Sequence, residues 1–276
     1  MTHQFFYLIA GAVFTALAMT AYTTTRPVPV LAQSAVAAKP AADAKAPPDF
    51  SGIWARPLAR GPRAGYENPA LSITHEDPLP MTPWATERYR KIQEGPKRYK
   101  FDRGNLNWDP SEWHCLPWGP TRPYTKVDHS FEIVQTPGVV YILFETNRET
   151  RRIYMDGRPH PVGWPFKWMG HSTGRYEGDT LVVDTVGLSE HTWIDTHGHV
   201  QSDEMHIIER FRRVEPETMT IDFTFNDPKA YTKPWNGKRV FELMKGDRAE
   251  VLPYLACEDH LLGQHLPRAL RGDEEQ

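Results

Sequence analysis

The sequence predicts a mostly β protein in which an antiparallel up-and-down meander closes into a lipocalin-like barrel. From Phe131 onward, short runs of β-branched and aromatic residues are separated by turn signals such as TPG, EGD, EPE and KGDR. About nine such runs follow one another, and connections long enough for βαβ crossovers are missing. Closure removes the exposed edges of so long a meander, and a β-sandwich is the alternative architecture.

The chain begins with a segment typical of export. The apolar run FFYLIAGAVFTALAMTAY precedes the small-residue pattern Val30-x-Ala32, which is similar to a leader-peptidase site. We therefore interpret residues 1–32 as a signal peptide. We expect a periplasmic or secreted protein with no stable membrane insertion after the signal is removed. Because the leading MTHQ contains no lysine or arginine, an uncleaved anchor is the alternative.

One folded domain is predicted over residues 50–270. Residues 33–49 are rich in alanine and proline and offer almost no large apolar side chain, so they are interpreted as a disordered tether. Residues 50–123 are expected to form a loop-rich wrapping segment. It contains one short helix in TPWATERYRKIQ, which the leading threonine can cap and in which the proline suits the first turn. The strand meander is expected over residues 124–260.

Composition and motifs exclude several classes of function. The chain carries 32 basic and 35 acidic residues, a formal net charge of -3, so it lacks the broad positive field that binds nucleic acid. The G-x-G-x-x-G, P-loop and G-x-S-x-G patterns are absent. We therefore expect a small-molecule ligand or substrate, no nucleic-acid partner and no cofactor.

The two cysteines, Cys115 and Cys257, suggest one cross-link. In an oxidising compartment such a pair most simply forms a disulfide, which would tie the loop-rich half to the C-terminal end. Two buried thiols are the alternative.

Several motifs between these cysteines carry a resemblance. WMGHSTGRYEGDTLVVDTVG, together with SFEIVQTPG, RRIYMDGRPHP and DPKAYTKPW, is similar to segments of a largely uncharacterised family of secreted bacterial β-rich proteins with the motif MGHSxGRxEGDTLVVDT. The resemblance implies export and a single β-rich domain. It implies no reaction, so the residues themselves must indicate the chemistry.

Alternation along the strands predicts which side chains enter the barrel, because neighbouring residues point to opposite faces. In DEMHIIERFRRV, Glu209 shares a face with apolar residues, whereas His206 lies on the other face. The same reasoning places Glu145 and Asp184 with the interior set. A carboxylate among apolar side chains pairs with a cation or has its pKa raised toward the range useful for acid–base catalysis.

Histidines supply the candidate proton carriers. His171 and Arg175 lie on one polar face of HSTGRY, which is either the interior or the exterior of the barrel. The stretch HTWIDTHGHV around Asp195 has three readings: a polar loop with satisfied histidines, a proton-transfer site in which Asp195 orients an imidazole, or a metal site. No H-E-x-x-H or Cys-paired spacing supports the third reading, so no metal ligand is assigned.

Loop residues supply the candidate ligand contacts. His129 precedes a strand at the rim, where barrel sites open, and Glu145 follows the next strand. The aromatic residues Trp168, Trp193 and Tyr231 are placed in loops, where they either pack together or form a mouth that stacks an aromatic ligand.

The sequence thus favours an exported, cofactor-independent acid/base enzyme of the lyase, hydratase or isomerase type, acting on a small apolar, oxygenated and potentially aromatic molecule. The expected base is His171 or His206, and its orienting carboxylate is Asp195 or Glu209. Arg175 is expected to hold the developing oxyanion. The alternatives are a periplasmic small-ligand binding protein and a metal-dependent hydrolase.

Overall fold

A computed structural model of the chain describes residues 46–57, 73–74, 78–94, 111, 115–126, 129–163, 165–246 and 249. The predicted signal peptide, most of the tether, much of the wrapping segment and the expected last strand EVLPYLA lie outside these residues. Within the described part, no helix is both long enough and apolar enough to cross a membrane.

Among the described residues, the regular structure comprises nine strands and one α-helix. The strands are β1 Gly52–Ala55, β2 Ser130–Thr136, β3 Val139–Phe144, β4 Thr150–Tyr154, β5 His171–Glu177, β6 Thr180–Val186, β7 His206–Glu215, β8 Thr218–Asn226 and β9 Trp235–Leu243. The helix α1 is Pro83–Glu94. Its predicted cap is confirmed, because the Thr82 hydroxyl accepts the backbone N–H of Ala85 at 3.3 Å.

The strands form a closed barrel in sequence order, which confirms the predicted fold class. Strand β9 returns to β1, with Trp54 opposite Leu243. The closing strand β1 therefore comes from the segment expected to be loop-rich, where a run of only four residues gave a weak sequence signal. All pairs are antiparallel except β4 and β5, which run parallel with Ile153 opposite Ser172. The meander of described strands is thus interrupted once, because the connection from β4 to β5 has to return to the end of the barrel at which β4 begins.

The two ends of the barrel differ in their connections. At one end, called the turn end, β2–β3, β5–β6 and β7–β8 are joined by two-residue turns at 137–138, 178–179 and 216–217. At the other, the loop end, the connections are longer, as in 187–205 and 227–234. Helix α1 packs at the loop end, where Gln93 donates to the carbonyl of His197 at 2.8 Å.

The barrel interior is filled by side chains. Tyr124, from the 3-10 turn Arg122–Thr125, contacts an aromatic group formed by Phe131, Phe144, Phe223 and Phe241. All five of these residues are buried, and their edge-to-face and tilted contacts suit aromatic packing. An ion pair between Arg151 and Glu209 also lies in the interior.

Candidate functional site

Glu209 lies inside the barrel, as strand alternation predicts. Its carboxylate receives both terminal nitrogens of Arg151, with Nη1 to Oε1 at 2.9 Å. Arg151 Nη2 also donates to the Thr185 hydroxyl at 2.8 Å and to the Ser172 hydroxyl at 3.2 Å. Burial opposes the charge on Arg151, but Glu209 outweighs it and raises the Arg151 pKa. Glu209 is therefore held as the partner of a cation, so its predicted role of orienting a catalytic histidine is wrong.

The other two carboxylates expected inside are not there. Glu145 lies beyond the end of β3 and accepts the backbone N–H and the hydroxyl of Ser130, at 2.8 and 2.7 Å. Asp184 lies on the outer face of β6, next to the interior residue Val183. The prediction that they face the interior is wrong for both.

Asp184 is the centre of a hydrogen-bonded chain on the outer wall, which we call the outer histidine chain. Its members are His171, His160, Asp184 and His206. His171 Nδ1 contacts His160 Nδ1 at 2.8 Å, and His160 Nε2 contacts Asp184 Oδ1 at 3.1 Å. The same oxygen of Asp184 contacts His206 Nε2 at 2.7 Å. Asp184 therefore joins two imidazoles directly, and the third, His171, is joined through His160.

Strand register explains how the chain assembles. His171 begins β5, and Asp184 lies on β6 opposite Thr173, two residues farther along β5. His206 begins β7, where Asp184 pairs with Ile208. In each case the residue lies one position away from an inward-facing neighbour, so all three side chains share the outer face. His160 comes from the crossing connection 155–170, and sequence reasoning did not identify it because it lies on no strand.

The two ends of the outer histidine chain have opposite electrostatic environments. Burial, with the nearby charges of His160 and Arg158, lowers the pKa of His171. The hydrogen bond to Asp184 raises the pKa of His206 despite partial burial. Burial would raise the pKa of Asp184, but its two histidine partners outweigh burial and lower it. Relative to a free histidine, these directions favour the neutral form of His171 and the protonated form of His206.

The outer histidine chain is reached from solvent at some members and covered at others. The His206 and Asp184 side chains are 39% and 26% exposed, whereas His171 is buried. The ring of Tyr154 stacks on His171 with centroids 5.3 Å apart, and the Arg158 guanidinium lies over Tyr154 at 4.0 Å. A small molecule would approach from the His206 side.

Asp195 organises the His-rich stretch at the loop end. Its carboxylate accepts the backbone N–H groups of Ile73, His197 and His199, and Oδ2 contacts His199 Nδ1 at 2.7 Å. Burial would raise its pKa, but His199 and these hydrogen bonds lower it to about 2. Asp195 does orient an imidazole, as one reading expected. That imidazole belongs to His199, so the predicted pairing of Asp195 with His171 or His206 is wrong.

Arg175 does not reach the histidines. It is exposed, and its Nε donates to Glu177 at 2.9 Å. It lies four positions along β5 from His171, which is about 13 Å along a strand. The structure therefore does not support its predicted role with His171.

The residues expected to contact a ligand lie mostly in loop packing. His129 Nδ1 contacts the Thr146 hydroxyl at 2.8 Å. Tyr231 donates to the carbonyl of Val200 at 2.8 Å, and Trp193 lies against the Arg122 guanidinium at 4.9 Å. Trp168 is half-buried beside His191, with ring centroids 6.4 Å apart. These contacts favour packing of the loops over an open aromatic mouth.

Glu149 is a perturbed carboxyl that sequence reasoning missed. Burial raises its pKa to about 7, although it accepts the backbone N–H of Trp118 at 2.6 Å. It follows a 3-10 turn between β3 and β4, so no strand alternation signalled its burial.

The remaining sequence predictions concern metals and cysteines. Among the described residues, no group of three His, Cys, Asp or Glu side chains could hold a metal ion. In the outer histidine chain, for example, the two ring nitrogens of His160 contact different partners, so the chain does not direct its nitrogens toward one common point. Cys257 lies outside the described residues, so its disulfide with Cys115 stays a prediction.

Comparison of the chain with protein-family models, curated proteins and solved structures gave no match.

Proposed function

We propose that the protein is an exported acid/base enzyme of the lyase, hydratase or isomerase type, and that the outer histidine chain is its active site. One observation carries the proposal: His171 and His206 belong to the same hydrogen-bonded chain, and their surroundings shift the two pKa values in opposite directions. Such a separation distinguishes a base from an acid in an active site that works near neutral pH.

The roles follow from these charges. Neutral His171 removes a proton from carbon next to a carbonyl group of a small apolar substrate. The electron pair of the C–H bond forms a carbon–carbon double bond, while the carbonyl oxygen takes a proton from protonated His206. The product of this half-reaction is an enol. Isomerisation follows when another carbon takes a proton from His206 while the enol hydroxyl gives its proton to His171. Dehydration follows when a neighbouring hydroxyl leaves as water with a proton from His206 while the enol hydroxyl gives its proton to His171.

His160 and Asp184, in the middle of the outer histidine chain, then return a proton from His171 to His206. After the first step His171 carries an extra proton and His206 has lost one. His160 and Asp184 connect the two through contacts of 2.8, 3.1 and 2.7 Å, which are distances of hydrogen-bonded proton transfer. Strands β5 and β7 flank β6, about 10 Å apart, which suits a small substrate.

Deuterium exchange on a panel of compounds tests the proposal without knowledge of the natural substrate. The protein is incubated in D2O with a panel of enolisable ketones and phenolic and steroidal compounds, and deuterium incorporation is measured by mass spectrometry. We expect exchange above the buffer rate for at least one compound. We expect His171→Gln and His206→Gln each to lower it by about 10² to 10⁴, the usual contribution of one acid or base.

The pH profile provides a sharper readout. The wild-type rate should follow a bell whose acid limb reports His171 and whose alkaline limb reports His206. Asp184→Asn removes the group that raises the His206 pKa, so the alkaline limb should move to lower pH. His191→Ala, an exposed histidine of the 187–205 connection, is the matched control and should leave both limbs in place.

The outcomes separate the competing functions. Unchanged exchange in the His171, His206 and Asp184 variants would refute the assignment of the active site. A bound ligand that is returned unaltered, with no pH dependence between 5 and 8, where histidine titrates, would indicate a binding protein. About one zinc per chain in untagged protein would favour a metal-dependent hydrolase, whereas less than about 0.2 would exclude it.

A further inference from the structure

The crossing connection 155–170 exposes apolar side chains at its tip. The two most exposed large hydrophobic residues in the described part of the chain are Val162 and Phe166, at 103% and 56%. Both belong to the tip, by which we mean the described residues 161–163, 165 and 166. Isolated exposed apolar residues are common on proteins, but two so close together on a protruding loop indicate a contact surface.

The tip is held between two fixed points. On one side His160 contacts His171 and Asp184 of the barrel wall. On the other side Lys167 donates its backbone N–H to Gly187 at 2.9 Å and accepts from Ser189 at 3.1 Å. Prolines at 159, 161 and 165 further restrict the backbone. Val162 and Phe166 are therefore presented to solvent by a constrained loop, which lowers the entropic cost of binding.

The charges around the tip favour an anionic partner. Residues 157–176 contain no aspartate or glutamate. Arg158, which pairs with Asp156, and Lys167 flank the tip, and both are exposed. Because Arg158 is paired with Asp156, Lys167 supplies the excess positive charge beside the tip. Apolar side chains beside such a cation suit the interface of an anionic lipid surface, where the apolar groups enter the headgroup region and the cation meets phosphates.

We infer that the tip docks the protein reversibly on an anionic lipid surface. The loop that carries His160 into the proposed active site would then face the membrane, which is where apolar small molecules concentrate. The contact is peripheral, because it involves a loop tip and no spanning segment.

Sedimentation with vesicles tests the inference directly. The full chain is mixed at low salt with vesicles of phosphatidylcholine, with and without phosphatidylglycerol. We expect stronger partitioning into the anionic vesicles and a decrease as salt is added. Replacing Val162 and Phe166 by serine together should lower the partition constant by about tenfold or more, because their transfer out of water is lost.

A matched control exists on the barrel itself. Val214 and Val240 are the other exposed large hydrophobic residues of the described chain, at 49% and 39%, and their double serine variant should partition like wild type. Equal partitioning of the two double variants, or no sedimentation of the wild type, would overturn the inference and leave a protein partner as the candidate for the tip. Deuterium exchange on a water-soluble probe should be the same in both variants, so this outcome is independent of the proposed activity.

Discussion

Glu209 and Asp184 lie on adjacent strands and on opposite faces of the barrel wall, and they differ in burial and in hydrogen-bond partners. Glu209 opposes Val183 on β6, and Asp184 is the next residue along. Glu209 is fully buried and clamped by Arg151, whose remaining donors are satisfied by hydroxyls. Asp184 is partly exposed and shared by two histidines that can change charge.

The difference shows that burial by itself does not make a group chemically active. A guanidinium stays protonated at any physiological pH, so the Arg151–Glu209 pair has one charge state and stabilises one geometry. Imidazoles titrate near neutrality, so the groups around Asp184 can gain and lose protons. The inner pair therefore belongs to the architecture, and the outer histidine chain is the place where chemistry is available.

The largest expected effect comes from breaking the inner pair. Glu209→Gln leaves the Arg151 charge buried without its counter-ion, and we expect a loss of about 3 to 5 kcal/mol in the free energy of unfolding. Arg151→Met combined with Glu209→Leu removes both charges and should recover most of that loss. Urea denaturation followed by fluorescence measures both. If Glu209→Gln were as stable as the wild type, the structural role assigned to the Arg151–Glu209 pair would be wrong.

Glu149 tests what a buried carboxyl does when burial dominates its pKa. Its folded pKa of about 7 lies above the ordinary 4.5, so its contribution to stability is present below pH 4.5 and is lost as pH rises through 7. Glu149→Gln cannot ionise. Between pH 4 and 8 its free energy of unfolding should therefore rise relative to that of the wild type, by up to about 3 kcal/mol. Parallel pH curves of the two proteins would contradict this.

Asp184→Asn should affect stability much less, by about 1 kcal/mol or less, because the pair is partly solvated. The sign depends on pH. The raised His206 pKa gives stability that is present below 6.5 and is lost as pH rises through the folded value. The lowered Asp184 pKa gives stability that is present above 3.8 and is lost as pH falls through the folded value. Thermal melts at pH 5.5 and 9 should therefore differ more from wild type at the lower pH.

Arg175→Ala is expected to have the smallest effect. Its partner Glu177 keeps a second cation, Arg210, at 2.8 Å, and all of these groups are solvated. The unfolding midpoint and the exchange rate should both match wild type. A loss of exchange activity would return Arg175 to the candidate site and would extend that site along the outer face of β5.

The sequence predicted the barrel because turn signals and alternation are local properties. The inward direction of Glu209 followed from the same alternation. The outward direction of Asp184 did not follow from alternation, because Thr180 to Val183 are buried on both faces of β6. A strand without alternation of polar and apolar residues does not indicate which side chains face the interior. The Arg151 partner and the arrival of His160 depend on pairings between strands and on a loop path, which no single segment encodes.

The parallel pair β4–β5 has a consequence for how this architecture can vary. Every other neighbouring pair from β2 to β9 is formed by strands that a direct antiparallel connection can join, whereas this pair requires a return strap along the outside. Met155 and Met169 at the ends of that strap pack against the core, whereas the described residues between them are not part of it, so changes between them leave the core side chains in place. Within the described part of the chain, this strap is therefore a region in which surface side chains can diversify while the hydrophobic interior is inherited unchanged.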